Sequence, residues 1–154
     1  MEIKVAHEHD ASIIHQIMMK AFMRYKDDAY PSSALEERIE SIREAMLNGE
    51  QALISYVDEK TVGMVRFRQT VKEIYFYRLA VIPTEQGKGY AKKILAYLEN
   101  YARKNGVKII CCDVRKSEKS NMNLYRSIGF EVSGESYVEK ENGKLQIVSM
   151  RKHL

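Results

Sequence analysis

Two features that would settle a function quickly are missing from this sequence: a cysteine framework and a long apolar run. Only two of the 154 residues are cysteine. Cys111 and Cys112 are adjacent, and neighbours on a strand point to opposite faces, so a disulfide between them is geometrically poor. Two thiols cannot build a structural zinc site by themselves. His7, His9, His15 and His153 show no ligand spacing with one another or with the cysteines. The expectation is therefore free buried thiols and no metal. No apolar run approaches the ~20 residues that span a bilayer. The first residues, Met1-Glu2-Ile3-Lys4-Val5, lack the charged-then-apolar pattern of a secretory signal. A cytoplasmic protein without a membrane partner is expected. Repeats, low-complexity tracts and linkers are absent too, which leaves a single domain over 1–154. Charge of one sign is scarce: 25 Lys and Arg stand against 21 Asp and Glu, net +4. The basic residues are interleaved with acidic ones. That argues against a nucleic-acid partner and is satisfied equally by a small anionic ligand.

What is present suffices for a core. Hydrophobic residues make up 45%, and a domain of this length hides roughly two-thirds of its unfolded-chain surface. Glu2 to Ala6 reads as a short strand. Asp10 offers a side-chain cap for a helix carrying Ile13, Ile14, Ile17, Ala21 and Phe22, and Lys26-Asp27-Asp28-Ala29-Tyr30-Pro31 breaks it. Ser33-Ala34-Leu35-Glu36 has capping-box spacing and opens a second helix with the stripe Leu35, Ile39, Ile42 and Met46; Asn48-Gly49 ends it. Ala52–Val57 and Thr61–Gln69 form a hairpin around Asp58-Glu59-Lys60. A third strand covers Glu73 to Val81. A helix begins near Gly89, with Ala91, Ile94, Leu95, Leu98, Tyr101 and Ala102 on one side. Val107 to Val114 is nearly all apolar, which predicts a strand covered on both faces. A short helix covers about Ser120 to Ile128. Phe130–Glu139 and Leu145–Arg151 close the chain as a hairpin through Glu141-Asn142-Gly143-Lys144, where Asn and Gly both tolerate positive φ. The order β-αα-βββ-α-β-α-ββ describes an α/β chain with a mostly antiparallel seven-stranded sheet and one strand-helix-strand crossover.

The most informative stretch is Leu79-Ala80-Val81-Ile82-Pro83-Thr84-Glu85-Gln86-Gly87-Lys88-Gly89-Tyr90-Ala91. A strand runs into a tight loop with two glycines, and the loop opens a helix. The first amides of a helix lack internal partners and sit at the positive end of its dipole. Glycine lets backbone approach a ligand closely, so the arrangement suits a pyrophosphate. The third glycine of a dinucleotide fingerprint is absent, as is a βαβ unit with an acidic residue after its second strand.

Gln86, Gly89 and Ala91, as Gln-x-x-Gly-x-Ala, resemble the acetyl-CoA signature of the GNAT superfamily of N-acetyltransferases. Leu79, Val81, Pro83 and the element order fit that resemblance over essentially the whole chain. It implies acetyl-CoA as co-substrate. It also implies pyrophosphate binding by the amides of Gly87, Lys88, Gly89, Tyr90 and Ala91, and strand-like pairing of the pantetheine arm with the backbone of Leu79, Ala80 and Val81. Asn121-x-x-x-Tyr125-x-x-x-Gly129-Phe130 resembles the family's other cofactor segment. By that likeness Tyr125 is the O–H donor to the departing thiolate; phenol and thiol pKa values differ by only about 1.5 units, so the transfer is nearly balanced. A purely packing role for Tyr125 is the alternative. Seven residues before Tyr125, where the family often has an asparagine, stands Glu118. Asn121, one turn later, is the replacement.

An amine acceptor is mostly protonated at neutral pH, with a reference pKa near 10.4 for a lysine-like group, so a base is required. Glu73 is the candidate: with regular alternation it shares a face with Tyr75, Tyr77, Leu79 and Val81. A solvated strand-end charge is its plainer reading, and Tyr75 or Tyr77 ordering a water chain is the substitute. A bulge would reverse the alternation. A backbone N–H near Leu79 or Ala80 is the candidate oxyanion donor. Asp27, Asp28 and Tyr30, between the first two helices, either attract a cationic amine or form a polar loop. The expected activity is acetyl transfer to a primary amine of a small molecule or peptide by direct attack in a ternary complex; the rival is a silent acetyl-CoA-binding sensor. The acceptor's identity is not encoded in one sequence, and a homodimer is left open.

Overall fold

The structure, a computed structural model, describes residues 1–28 and 30–154. Ala29, within the stretch expected to break the first helix, lies outside the described residues. The strands are β1 (Glu2–Val5), β2 (Gln51–Val57), β3 (Lys60–Gln69), β4 (Glu73–Val81), β5 (Ile109–Arg115), β6 (Glu131–Lys140) and β7 (Gly143–His153). The α-helices are α1 (Ala11–Phe22), α2 (Ile39–Leu47), α3 (Tyr90–Lys104) and α4 (Lys119–Ser127). Element order is the expected one. The seven strands form one sheet in the order β1-β2-β3-β4-β5-β7-β6. β4 and β5 pair parallel, and the pairs β1–β2, β2–β3, β5–β7 and β6–β7 are antiparallel. The parallel pair brackets α3, as a crossover connection requires.

The chain divides into two compact units, Met1–Arg68 with Tyr77–Tyr97, and Gln69–Phe76 with Leu98–Leu154. In the first, Ile14, Ile17 and Met18 of α1, Ile42 of α2, Ile54, Met64 and Ala80 belong to one buried cluster. Each fully buried Ile or Met side chain contributes about 1.5–3 kcal/mol. In the second, Ile74, Ile110, Cys112, Val114, Val148 and Met150 are buried. There Phe76, Tyr125 and Phe130 meet as three rings with centroids 5.7–5.9 Å apart.

Gly63 on β3 has a packing requirement rather than a dihedral one. A Cβ there would lie 2.7 Å from the Ala80 carbonyl oxygen and 3.1 Å from both Ile94 Cδ1 and Ser55 Oγ. The absent side chain lets β3 and β4 approach.

Six local expectations need correction. Asp10 does not cap α1 with its side chain; its carboxylate accepts from the His7 N–H at 2.9 Å and closes a 3-10 turn over Glu8–Asp10. The second helix does not start at Ser33. Ser33–Glu36 is a separate 3-10 turn capped by Ser32 Oγ, and Glu37 and Arg38 are extended before α2 begins. The reason is Glu37, whose carbonyl accepts from His15 Nε2 and whose carboxylate binds two arginines; continuing the helix would turn both groups away. β5 is not covered on both faces: Ile110, Cys112 and Val114 are buried, whereas Asp113 is exposed and Cys111 half-buried. Its apolar run hides an alternation. The last turn centres on Glu141 and Asn142, with Lys140 opposite Gly143, and only Gly143 takes positive φ. Fifth, the alternation of β4 breaks at Arg78, whose φ is 55°. The β2–β3 turn is a two-residue one instead, with Asp58 and Glu59 both left-handed, which matches the twist of the hairpin.

Candidate active site

In the first unit, β4 leads through a 3-10 turn at Pro83–Glu85 into the exposed loop Gln86–Gly89 and then α3. Gly87 and Gly89 have φ of 80° and 82°. This left-handed region favours glycine because a side chain there costs roughly 1–2 kcal/mol. A Cβ at either position would meet no atom within 4 Å, so the space over the loop is open to a ligand. The first helical bond of α3 runs from the Lys93 N–H to the Gly89 carbonyl, and the amides of Tyr90, Ala91 and Lys92 precede it without an intrahelical acceptor. Gln86 acts locally, because its Nε2 donates to the Val81 carbonyl at 3.0 Å and holds the loop against the end of β4. Lys88 is paired with Glu85 at 2.7 Å. Its pKa is raised by that hydrogen bond and by the Glu85 charge, so amides and helix dipole carry most of the loop's attraction for an anion. Lys93 lies over the Tyr90 ring. The open amides and the two glycines would fit a pyrophosphate.

The β4–β5 ladder pairs Glu73–Tyr75 with Ile109–Cys111. β4 continues to Val81, so Leu79, Ala80 and Val81 lie on the part of the strand beyond that ladder. Arg78 precedes them, and its Nε and Nη2 donate to Glu37 Oε1 at 2.8 Å and Ser33 Oγ at 2.9 Å. The other Glu37 oxygen accepts from Arg66 Nη1 at 2.6 Å. Arg66 also grips Glu50 through two bonds of 2.9 and 3.1 Å, and its guanidinium lies 5.3 Å from the centre of the Tyr77 ring. The Arg66 and Glu50 side chains are 4% and 1% exposed. Burial works against the Arg66 charge, but the hydrogen bonds it donates to Glu50 and Glu37 outweigh it and raise its pKa. Burial also pushes the Glu50 carboxyl up, against the pull of Arg66. Sequence reading missed this four-residue cluster.

In the second unit, Tyr125 of α4 is buried, edge-on to Phe76 at 74°. Asn121 lies one turn earlier, half-buried, and Glu118 caps α4 with backbone only. Glu73 and Tyr75 share a sheet face with Cys111 and Asp113. The Tyr75 hydroxyl donates to Asp113 Oδ2 at 3.0 Å, and Ser149 Oγ donates to Asp113 Oδ1 at 2.6 Å. Burial, then the Asp113 charge and hydrogen bond, raise the Tyr75 pKa. The Cys111 thiol is pushed up to about 12 by burial and by Glu73 beside it. Burial and Asp113 likewise raise Cys112. Both cysteines are free and, as neutral thiols, poor nucleophiles. Asp113 was not singled out from sequence; Tyr75 and Glu73 were. Tyr77 joins the Arg66 cluster instead. Asp27 and Asp28 are exposed, in a turn closed by the Asp28 N–H on the Tyr25 carbonyl. Among the described residues no group of histidine, cysteine and carboxylates has metal-holding geometry, and no helix is long and apolar enough to cross a membrane.

Comparison with known proteins agrees with this architecture. Residues 14–130 match the family model described as the acetyltransferase (GNAT) family. A [ribosomal protein bS18]-alanine N-acetyltransferase of Haemophilus ducreyi is 33% identical over 78 residues, covering 50% of this chain and 54% of the relative. Human N-acetyltransferase 8B is 27% identical over 118 residues, covering 70% of this chain and 51% of the relative. The chain thus spans about half the length of the curated relatives it matches. Among solved structures, the ribosomal-protein-S18-alanine N-acetyltransferase of Escherichia coli superposes with a TM-score of 0.81 at 19% identity, over 99% of this chain and 92% of that one. The PaiA N-acetyltransferase of Thermoplasma acidophilum, solved with coenzyme A, gives 0.76 at 17% identity over the full length of both. A family match over most of the sequence, on a sheet and loop of this geometry, identifies the chain as a member of the acetyltransferase (GNAT) family.

Proposed function

We propose that the chain is an acetyl-CoA-dependent N-acetyltransferase acting as one domain in the cytoplasm on a primary amine, with a peptide or protein amine favoured over a small molecule. The observation that carries the reading is the loop Gln86–Ala91, where two left-handed glycines with open space at their Cβ positions lead into the unpaired first amides of α3. The names of its bacterial relatives support a protein acceptor. Bound there, acetyl-CoA would supply the thioester. The amides of Gly87 to Ala91 hold the diphosphate, and the backbone of Leu79 to Val81 lies along the pantetheine.

The amine nitrogen attacks the thioester carbonyl, and an amide near Leu79 or Ala80 stabilises the oxyanion. The C–S bond then breaks, and Tyr125 gives its proton to the departing sulfur. Glu73 and Asp113, on one sheet face, attract the ammonium form and take the proton that the nitrogen must lose. Tyr75 and Ser149 fix the Asp113 carboxylate for that purpose.

Thiol release from acetyl-CoA, followed across peptides with free N-termini, polyamines and aminoglycosides, tests the proposal. Turnover should be greatest with peptides. Tyr125→Phe should lower kcat by about 10²–10⁴-fold while coenzyme A affinity is kept. Glu73→Gln and Asp113→Asn, read as pH–rate profiles, identify which carboxylate loses the proton-acceptor limb. Coenzyme A binding without turnover on any amine would overturn the enzymatic reading.

A further inference from the structure

β4 contains an anomaly that the proposed chemistry does not require: an arginine in left-handed conformation inside a strand. Arg78 has a φ of 55°, and no glycine, asparagine or aspartate occupies the position to ease it. Consecutive side chains of a regular strand point to opposite faces. Tyr77 and Arg78 nevertheless engage the same ion cluster, Tyr77 through the Arg66 guanidinium and Arg78 through Glu37. The left-handed backbone at Arg78, as in a bulge, brings both side chains to that cluster. The strand then resumes as Leu79–Val81, the backbone assigned to the pantetheine.

We propose that Arg78 is a positioning residue for coenzyme A: its guanidinium, clamped by Glu37 and Ser33, holds β4 in the bulged conformation that presents Leu79–Val81 to the cofactor. The clamp is anchored from behind. Glu37 is itself fixed by Arg66, and Arg66 by the buried Glu50, so the pull on Arg78 comes from an ion cluster that cannot drift. Glu37 belongs to the extended stretch that separates the Ser33–Glu36 turn from α2. The break in the second helix and the break in β4 are therefore two ends of one tie. This inference rests on the coenzyme A reading of the Leu79–Val81 backbone.

The test separates backbone conformation from the tie. Arg78→Gly loses the clamp but adopts positive φ freely, whereas Arg78→Val loses the clamp and resists positive φ. Glu37→Gln keeps Arg78 and weakens the tie. Calorimetry with coenzyme A should give Arg78→Val a Kd about tenfold weaker than Arg78→Gly, with Glu37→Gln several-fold weaker than wild type. Glu37→Gln should add nothing in the Arg78→Gly background, since the tie is already gone. Ile42→Ala serves as control: it should lower Tm through a core cavity without moving Kd, the pattern that the Arg78 variants would share if the role of Arg78 were merely structural. Equal Kd values for wild type, Arg78→Gly and Arg78→Val, each with a cooperative melt, overturn the inference and leave the enzymatic reading intact. A wild type that binds no coenzyme A overturns the reading and the inference together.

Discussion

Gly63→Ala should destabilise the protein by crowding β3 against β4. The new methyl would sit 2.7 Å from the Ala80 carbonyl oxygen, a distance real Cβ atoms essentially never show, and 3.1 Å from Ile94 Cδ1 and Ser55 Oγ. Ile94 can rotate slightly, but a backbone carbonyl yields only if β4 moves. Overpacking of this kind costs about 1–3 kcal/mol. For a domain of this size each kcal/mol is about 2–4 °C in Tm, so the melt should fall by about 2–12 °C. Because the displaced atom belongs to Ala80, coenzyme A affinity should fall as well. Gly134→Ala is the matched control: it has no positive φ, and its Cβ would meet nothing within 4 Å. That variant should melt within about 0.5 kcal/mol of wild type. Scanning calorimetry on both variants, then titration with coenzyme A, decides the matter. A Gly63→Ala protein that melts and binds like wild type would show that β3 and β4 are not held together as tightly as described.

Two further outcomes follow from the charges. Arg66→Met strands a carboxylate that is 1% exposed and should cost about 3–5 kcal/mol, whereas Arg66→Met with Glu50→Leu should recover much of the loss; equal melts for the two would refute the assignment. The Arg66→Met deficit should also narrow as pH falls. A buried carboxyl of raised pKa favours the folded state while protonated, and that contribution disappears as pH rises through its folded value. Cys111, pushed up to about 12 from an ordinary 9.0, should alkylate far more slowly in folded protein than in urea at pH 8.5. Its contribution to stability is whole below about 9 and is lost as pH climbs toward 12. A folded-state alkylation rate that levels off near pH 9 would contradict the burial and Glu73 contact.

What the sequence made legible was what nearby residues decide. Glu73–Val81 was bounded correctly because Pro83 and the following glycines punctuate it, and α3 because Ile94, Leu95, Leu98 and Ala102 recur at helical spacing. The loop before α3 was readable because two glycines stand where a strand enters a helix. The Glu37–Arg66–Glu50–Arg78 cluster was not readable: its members are 12 to 41 residues apart, and each alone is an unremarkable surface-type charge. Arg78 gave no turn signal at all, since its conformation is imposed by that cluster rather than by its own preference. Asp113 was hidden by its neighbours Ile109, Ile110, Cys111 and Cys112, whose shared apolarity masked which of them face inward.

The two compact units are interleaved along the chain: one takes its first 68 residues, yields to the other for Gln69–Phe76, resumes through Tyr97, and yields again to the C-terminus. Strand β4 is split between them at Phe76 and Tyr77. No cut at a single peptide bond separates one unit from the other. During synthesis the first unit is complete once Tyr97 has emerged, but the second waits for β7, which pairs with β5, and for β6, which pairs with β7. A cut after Tyr97 would thus leave the first unit whole but joined to Gln69–Phe76 of the second, which the remaining fragment lacks, and a ribosome-stalled chain ending at Lys104 would expose the outer edge of a sheet still lacking three strands.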